Sequence, residues 1–299
     1  FAKGDKVKSA AENFSDQVSQ AFKNKGKHSK RLAIDKIMLD GFKSLENKDF
    51  KIENGEKIME HARSIKSAEE IKAMRCSISA CETSMHIMEN KTKPGMTEND
   101  IWSILHSENI KRGGEWIETR LLSSGTKTNP WFQECGSRVL QNNEIVAFDT
   151  DLVGCYSICT DISRTWWIGD QEPTNEMKQD YRIALDHIQQ NAELVAPGIH
   201  FRDLTFKGHQ LDNIYKKQQY SCRFHGVGLC DEFPLITYPE DYEDGAFDYV
   251  LQPGMTLCVE ALISRENGEF SIKLEDQLLV TENGFENLTS YPFDEKFLN

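Results

Sequence analysis

The period of the apolar positions changes along this chain, and the changes mark out its elements. From Ser67 onward, Ile71, Met74, Ile78, Cys81, Met85 and Met88 recur at steps of three and four residues, the spacing of one helix face. Ser67 with Glu70 forms a capping box at the start, so a helix is predicted over 67–91. Lys93-Pro94-Gly95 breaks it, and Thr97-Glu98-Asn99-Asp100 opens a second helix to about Ile110. Gly113-Gly114 then leads into an expected strand over Trp116–Leu122. Beyond it the period falls to two: Val146, Phe148, Leu152 and Val153 suit one strand, Tyr156, Ile158, Ile162, Trp166 and Trp167 a second, with Gly154 at the turn. A helix from Pro173 to about Val195 follows, ended by Pro197-Gly198, and another is expected from Asp203 towards Lys217. Upstream, residues 1–30 are polar and read as a loose helix or linker. Arg31–Leu45 reads as the last strand and helix of an upstream domain. The chain opens on Phe1 without Met, as a piece of a longer protein would.

Composition narrows the partners. Net charge is −13 over 299 residues, which argues against nucleic acid or an anionic membrane. No apolar run reaches membrane-spanning length. The cysteines at 76, 81, 135, 155, 159, 222, 230 and 258 form no C-x-x-C pair, and several fall in apolar strands where a free thiol packs as a small hydrophobe. A reducing cytoplasm is the expected location. Cys222 and Cys230 flank His225 as candidate soft ligands, but the other candidate donors are oxygen and nitrogen.

Those donors begin in the hairpin. Asp149, Asp151 and Asp161 lie within its apolar alternation, and antiparallel pairing would bring Asp161 back towards the other two. Carboxylates so close repel unless a cation sits between them. Aspartates at turns and strand ends are also common without a metal, so the hairpin alone does not decide. His225, Glu260 and Glu275 extend the pattern, each inside a strand-like apolar run where an unpaired charge is costly. Five carboxylates and one imidazole suit two divalent ions.

The order Asp, Asp, His, Glu, Glu, with DISRTW at 161–166, HGVGL at 225–229, PGMTLCVE at 253–260 and KLEDQLLVTENGFENLT at 273–289, resembles the creatinase, prolidase and methionine aminopeptidase superfamily. The resemblance covers roughly residues 66–299. It implies a pita-bread α+β fold, two pseudo-twofold halves around a curved antiparallel sheet. A truncated N-terminal domain (1–65) would precede the catalytic domain (66–299), in a homodimer. It also implies two divalent metal ions held by Asp149, Asp151, Asp161, His225, Glu260 and Glu275, with iron favoured and manganese, cobalt or zinc possible. Lys273, where the superfamily has Arg, would pair with an acidic ligand and fix its orientation.

The departures shift the implied chemistry. Nine residues separate Asp151 from Asp161, and eleven separate Asp149 from it; the peptidase spacing falls between them. Glu232, preceded by Asp231, stands where the peptidases carry a second His. The stretch Asn129–Arg138, NPWFQECGSR, lacks the His expected ahead of the first aspartate. In these respects, and in FDTD and DISRTWW, the chain looks most like the DddP-type lyases of dimethylsulfoniopropionate (DMSP), a small zwitterion. That resemblance assigns Asp231 as the base of a β-elimination and Tyr220 to the substrate site, with Trp131 and Phe233 as further candidates for cation–π contact. The alternative is a metallohydrolase of the Xaa-Pro aminopeptidase or creatinase type. A binding protein on a dead enzyme scaffold is the third reading, and the intact ligand set argues against it.

Overall fold

The computed structural model describes residues 4–26 and 29–299; the rest of the expected N-terminal helix or linker, at 1–3 and 27–28, lies outside the described residues. The chain divides into two compact units, Phe1–Arg63 and Ser64–Asn299. The first contains α1 (Val7–Asn24), β1 (Arg31–Ile34), α2 (Leu39–Glu46), β2 (Lys51–Asn54) and all but the last residue of α3 (Glu56–Ser64), with β1 and β2 parallel. The polar N-terminal stretch is therefore mostly one regular helix. Small contacts seat it: Ser15 Oγ lies 2.8 Å from Ser44 Oγ of α2, and Phe22 meets Phe50 edge-on at 5.1 Å.

The second unit opens with α4 (Ala68–Lys91) and α5 (Glu98–Lys111). Both start as their sequence signatures predict. Ser67 and Thr97 accept from the backbone N–H groups of Glu70 and Asp100, whose carboxylates bond back to the cap N–H groups. Because the caps satisfy donors that a helix end leaves open, Ser67→Ala is expected to cost about 1 kcal/mol, read as a lower urea midpoint at unchanged slope. The buried stripe of α4 (Met74, Ile78, Cys81, Met85, Met88) packs with Ile101, Trp102 and Leu105 of α5 into one core.

That core lies against a three-stranded antiparallel sheet of β3 (Leu122–Ser124), β4 (Glu144–Phe148) and β7 (Arg164–Ile168). The strand expected over 116–122 is shorter and later. Ile117 and Leu121 make only isolated bridges, to Leu152 and Glu134, so two different partners prevent a continuous ladder. Between β4 and β7 the hairpin narrows to β5 (Leu152–Val153) and β6 (Cys159–Thr160), joined by a tight turn at 155–157.

The other half of this unit has α6 (Asn175–Ala192), α7 (Phe201–Lys207) and α8 (Asn213–Lys216) over a five-stranded antiparallel sheet, ordered β12 (Phe285–Asn287), β11 (Ser271–Val280), β10 (Thr256–Ser264), β8 (Phe224–Val227), β9 (Asp231–Ile236). A short α9 (Glu295–Leu298) closes the chain. The cap of α6 is Thr174, one residue past the expected Pro173. The single helix expected over 203–217 is two, split after Gly208. A side chain there would meet Arg223 at 2.0 Å, so the helix ends to let that arginine pass. Tyr181, Ile188, Val259, Ile272 and Leu274 belong to the second core.

The two sheets are stitched together at β7 and β11. Thr165 Oγ1 donates to Lys273 O and accepts from Lys273 N, each at 3.0 Å. Arg164 donates to Glu275 O at 2.6 Å, Asp276 Oδ1 at 2.8 Å and Tyr291 O at 2.7 Å.

Candidate metal centre

The interrupted hairpin is what gathers the acids. At the level of residues 149–151 and 161–163 both strands leave the ladder, and Thr150 replaces the missing backbone bonds. Its hydroxyl donates to Thr160 O and accepts from Ile162 N, both at 2.9 Å. Asp149 and Asp151 flank it and Asp161 faces them, with Asp151 N–H reaching Asp161 Oδ1 at 3.3 Å. Asp151 holds φ at +36°, a left-handed conformation that Asp tolerates better than most residues.

Opposite, β10 and β11 pair Glu260 directly with Glu275, and β8 sets His225 beside Cys258. Residues two apart on a strand share a face, so Cys258 and Glu260 look into the site together with Lys273 and Glu275. Every position expected to ligate a metal is buried here, and the structure brings them into one cluster. Three groups of donor atoms each lie within 4.8 Å of one another: Asp161, His225, Cys258 and Glu275; Asp149, Glu260 and Glu275; and Asp151, Asp161 and Asp231. The thiol that joins the cluster is thus Cys258, whereas Cys222 donates to Glu260 Oε1 from behind at 3.0 Å.

Two residues hold the acids in register. Lys273 Nζ, with no solvent exposure of its side chain, lies 3.0 Å from Asp149 Oδ2, 2.8 Å from Glu260 Oε2 and 3.0 Å from Glu275 Oε2. Ser163 Oγ accepts from Lys273 at 2.8 Å and lies 2.7 Å from both Asp149 Oδ1 and Glu275 Oε2. Ser163 and Cys258 were missed from sequence. The alternation Asp161, Ser163, Thr165, and Cys258, Glu260, was the signal available.

Charge explains the rest. Burial pushes the Asp151 carboxyl up to about 8, with repulsion from Asp149 and Asp231 adding to it. Glu260 rises to about 7, again through burial, with Lys273 partly offsetting. Asp161 is held well above the usual range by burial and then by Glu275 and Asp149. Glu275 goes the other way: burial opposes its charge, but Lys273 and the 3.2 Å contact with His225 Nε2 hold it below the ordinary range. Acids that cling to protons because they are crowded and dry are the signature of a site short of positive charge, and hard oxygen donors with one imidazole suit a divalent ion. The cluster fits a divalent metal.

A pH prediction follows. Carboxyls raised in the folded state bind more protons folded than unfolded between about 4 and 8, so metal-free stability falls as pH rises through that window. A divalent metal held by these residues would supply the missing charge. Chelation is therefore expected to lower the melting temperature more at pH 8 than at pH 6, measured by calorimetry with and without EDTA. An equal drop at both would contradict this account.

Asp231 and Tyr220 stand at the edge of the cluster. Asp231 opens β9 with its side chain about half exposed, its Oδ1 3.7 Å from His225 Nδ1. Tyr220 has Lys273 Nζ over its ring at 4.5 Å and stacks on Phe132 at 5.3 Å. Trp131 is buried against Leu121, Ala147 and Leu262 beside Tyr220. Phe233 sits elsewhere, against Phe201 and Phe247 at 5.5 and 5.8 Å. Phe132, 58% exposed, is the aromatic that the sequence did not single out.

Comparison with known proteins agrees with this geometry. The sequence model of metallopeptidase family M24 matches residues 72–282. The chain belongs to family M24. Its fold is the pita-bread layout, shared with M24-type structures at low identity: the Xaa-Pro dipeptidase of Bacillus anthracis superposes with a TM-score of 0.80 at 23% identity, covering 93% of this chain and 77% of that one. The X-Pro aminopeptidase of Thermotoga maritima gives 0.78 at 21%, covering 94% and 79%. Among curated relatives, dimethylsulfoniopropionate lyase DddP of Roseobacter denitrificans is 56% identical over 98% of this chain and 67% of its own length. The enzyme of that name from Roseovarius nubinhibens is 53% identical over the same shares. No helix among the described residues is long and apolar enough to cross a membrane.

Proposed function

We propose that this chain is a metal-dependent lyase that cleaves DMSP to dimethyl sulfide and acrylate. The observation that carries the reading is Asp231: a half-exposed carboxylate at the rim of a buried acid cluster, beside His225. The relatives named above as DMSP lyases support the same substrate. Asp149, Asp151, Asp161, His225, Glu260 and Glu275 would hold two divalent ions, and iron is favoured by the family resemblance. Bound there, the metal would neutralise the substrate carboxylate and the negative charge that grows on it.

The chain's own groups do the rest. Asp231 removes a proton from the carbon next to the substrate carboxylate. Burial and neighbouring carboxylates raise its proton affinity, with His225 opposing, and a base is stronger for being raised. The C–H electron pair becomes the new C=C bond, and the C–S pair leaves on sulfur as neutral dimethyl sulfide. The sulfonium rests against the Phe132–Tyr220 stack, whose outer ring is exposed, by cation–π attraction. A homodimer in a reducing cytoplasm completes the reading; the cysteines, all free thiols, support that compartment.

Gas chromatography of the headspace above metal-loaded protein and DMSP tests the proposal. Dimethyl sulfide is expected from the parent and not from Glu275→Ala, since Glu275 belongs to two of the donor groups. The M24 fold favours one other reading, a metallohydrolase. Silence with DMSP together with cleavage of proline dipeptides would establish it instead.

A further inference from the structure

Lys66 and Glu232 form a buried ion pair, with side chains 5% and 1% exposed. Glu232 follows Asp231 directly, and Lys66 precedes the cap of α4. The pair reaches its place through two glycines. A side chain at Gly228 would meet Glu232 Oε1 at 2.4 Å, and one at Gly226 would meet the carbonyl of Phe233 at 2.2 Å. Strand β8 is thus kept bare so that β9 can lie close and send the carboxylate across it. The pairing of β8 with β9 breaks register between His225 and Gly226, so that Gly226 faces Glu232 and His225 faces Leu235. Backbone pairing therefore ties the start of β9 to β8 through only two residues, Asp231 and Glu232, before the register shifts.

Lys66 is itself tied down. Its N–H donates to Gly254 O at 2.8 Å, and Ile65 bridges Met255, at the root of the strand that carries Glu260. Since neighbouring strand residues point to opposite faces, fixing Glu232 on the face turned to Lys66 fixes Asp231 on the other, beside His225. A buried ion pair gives little net stability over an apolar pair of similar size, so stability does not account for this one; what it does fix is the direction of the Glu232 side chain. We propose that Lys66 and Glu232 are positioning residues that aim the Asp231 carboxylate at the reacting carbon. This inference rests on the reading of Asp231 as the base.

The test uses the full metal-loaded chain. Lys66→Met and Glu232→Gln are each expected to lower kcat ten- to a hundredfold, the scale of a misplacement of about 1 Å, with KM for DMSP changed less than threefold. The double variant Lys66→Met/Glu232→Leu separates aim from stability. Its melting temperature is expected to return to that of the parent while kcat stays low. Recovery of kcat along with melting temperature would reduce the pair to a structural role, and parental kcat in the single variants would overturn the inference outright. A crystal structure of the double variant gives a readout independent of the reaction. Asp231 turned away from His225 is expected, and an unmoved Asp231 would refute the proposal even if the parent released no dimethyl sulfide.

Discussion

Asp231→Asn is expected to keep its metal and lose its activity. The amide matches the carboxylate in shape, and Asp231 is the half-exposed member of its donor group, beside the buried Asp151 and Asp161. Elemental analysis should therefore give the parental metal content. What the amide lacks is a basic oxygen, and removal of a positioned general base costs typically about 10²- to 10⁴-fold. The fall should appear in kcat, because substrate still meets the same cations and the same aromatic stack. Full activity in Asp231→Asn would exclude it as the base. Loss of metal together with activity would make Asp231 a ligand instead.

Lys273→Met should have the largest effect on the protein itself. Lys273 is a wholly buried cation in contact with three carboxylates, and burial opposes its charge while Asp149, Glu260 and Glu275 more than restore it. Removing one partner from a buried ion-pair network strands the others, at a cost of about 3–5 kcal/mol. Metal-free Lys273→Met is thus expected to unfold at a much lower denaturant concentration. Affinity for metal should fall by about ten- to a hundredfold, since the acids lose the group that orients them. Denaturation followed with and without metal, and metal titration by calorimetry, read the two effects separately. A variant with parental stability when stripped of metal would show that the acids simply take up protons in place of the lysine.

Much of this was legible beforehand because it depends on local chemistry. The capping boxes at Ser67 and Thr97 and the helical stripe of α4 need only a few neighbouring residues to declare themselves. The clustering of Asp149, Asp151 and Asp161 with His225, Glu260 and Glu275 followed from motif order. The rest required the third dimension. The strand expected over 116–122 failed because its residues answer to two separate partners. Gly208 ends a helix for the sake of Arg223, which lies distant in sequence. Ser163 and Cys258 are ordinary in a sequence and become central only when two sheets meet.

Glu275 belongs both to the group with Asp161, His225 and Cys258 and to the group with Asp149 and Glu260. Any cation held by either group would compete with Lys273 and His225 for this carboxylate, so the two groups are coupled through it. A substitution at Glu275 would alter both at once, whereas one at Asp149 or at His225 would leave the other group's donors whole.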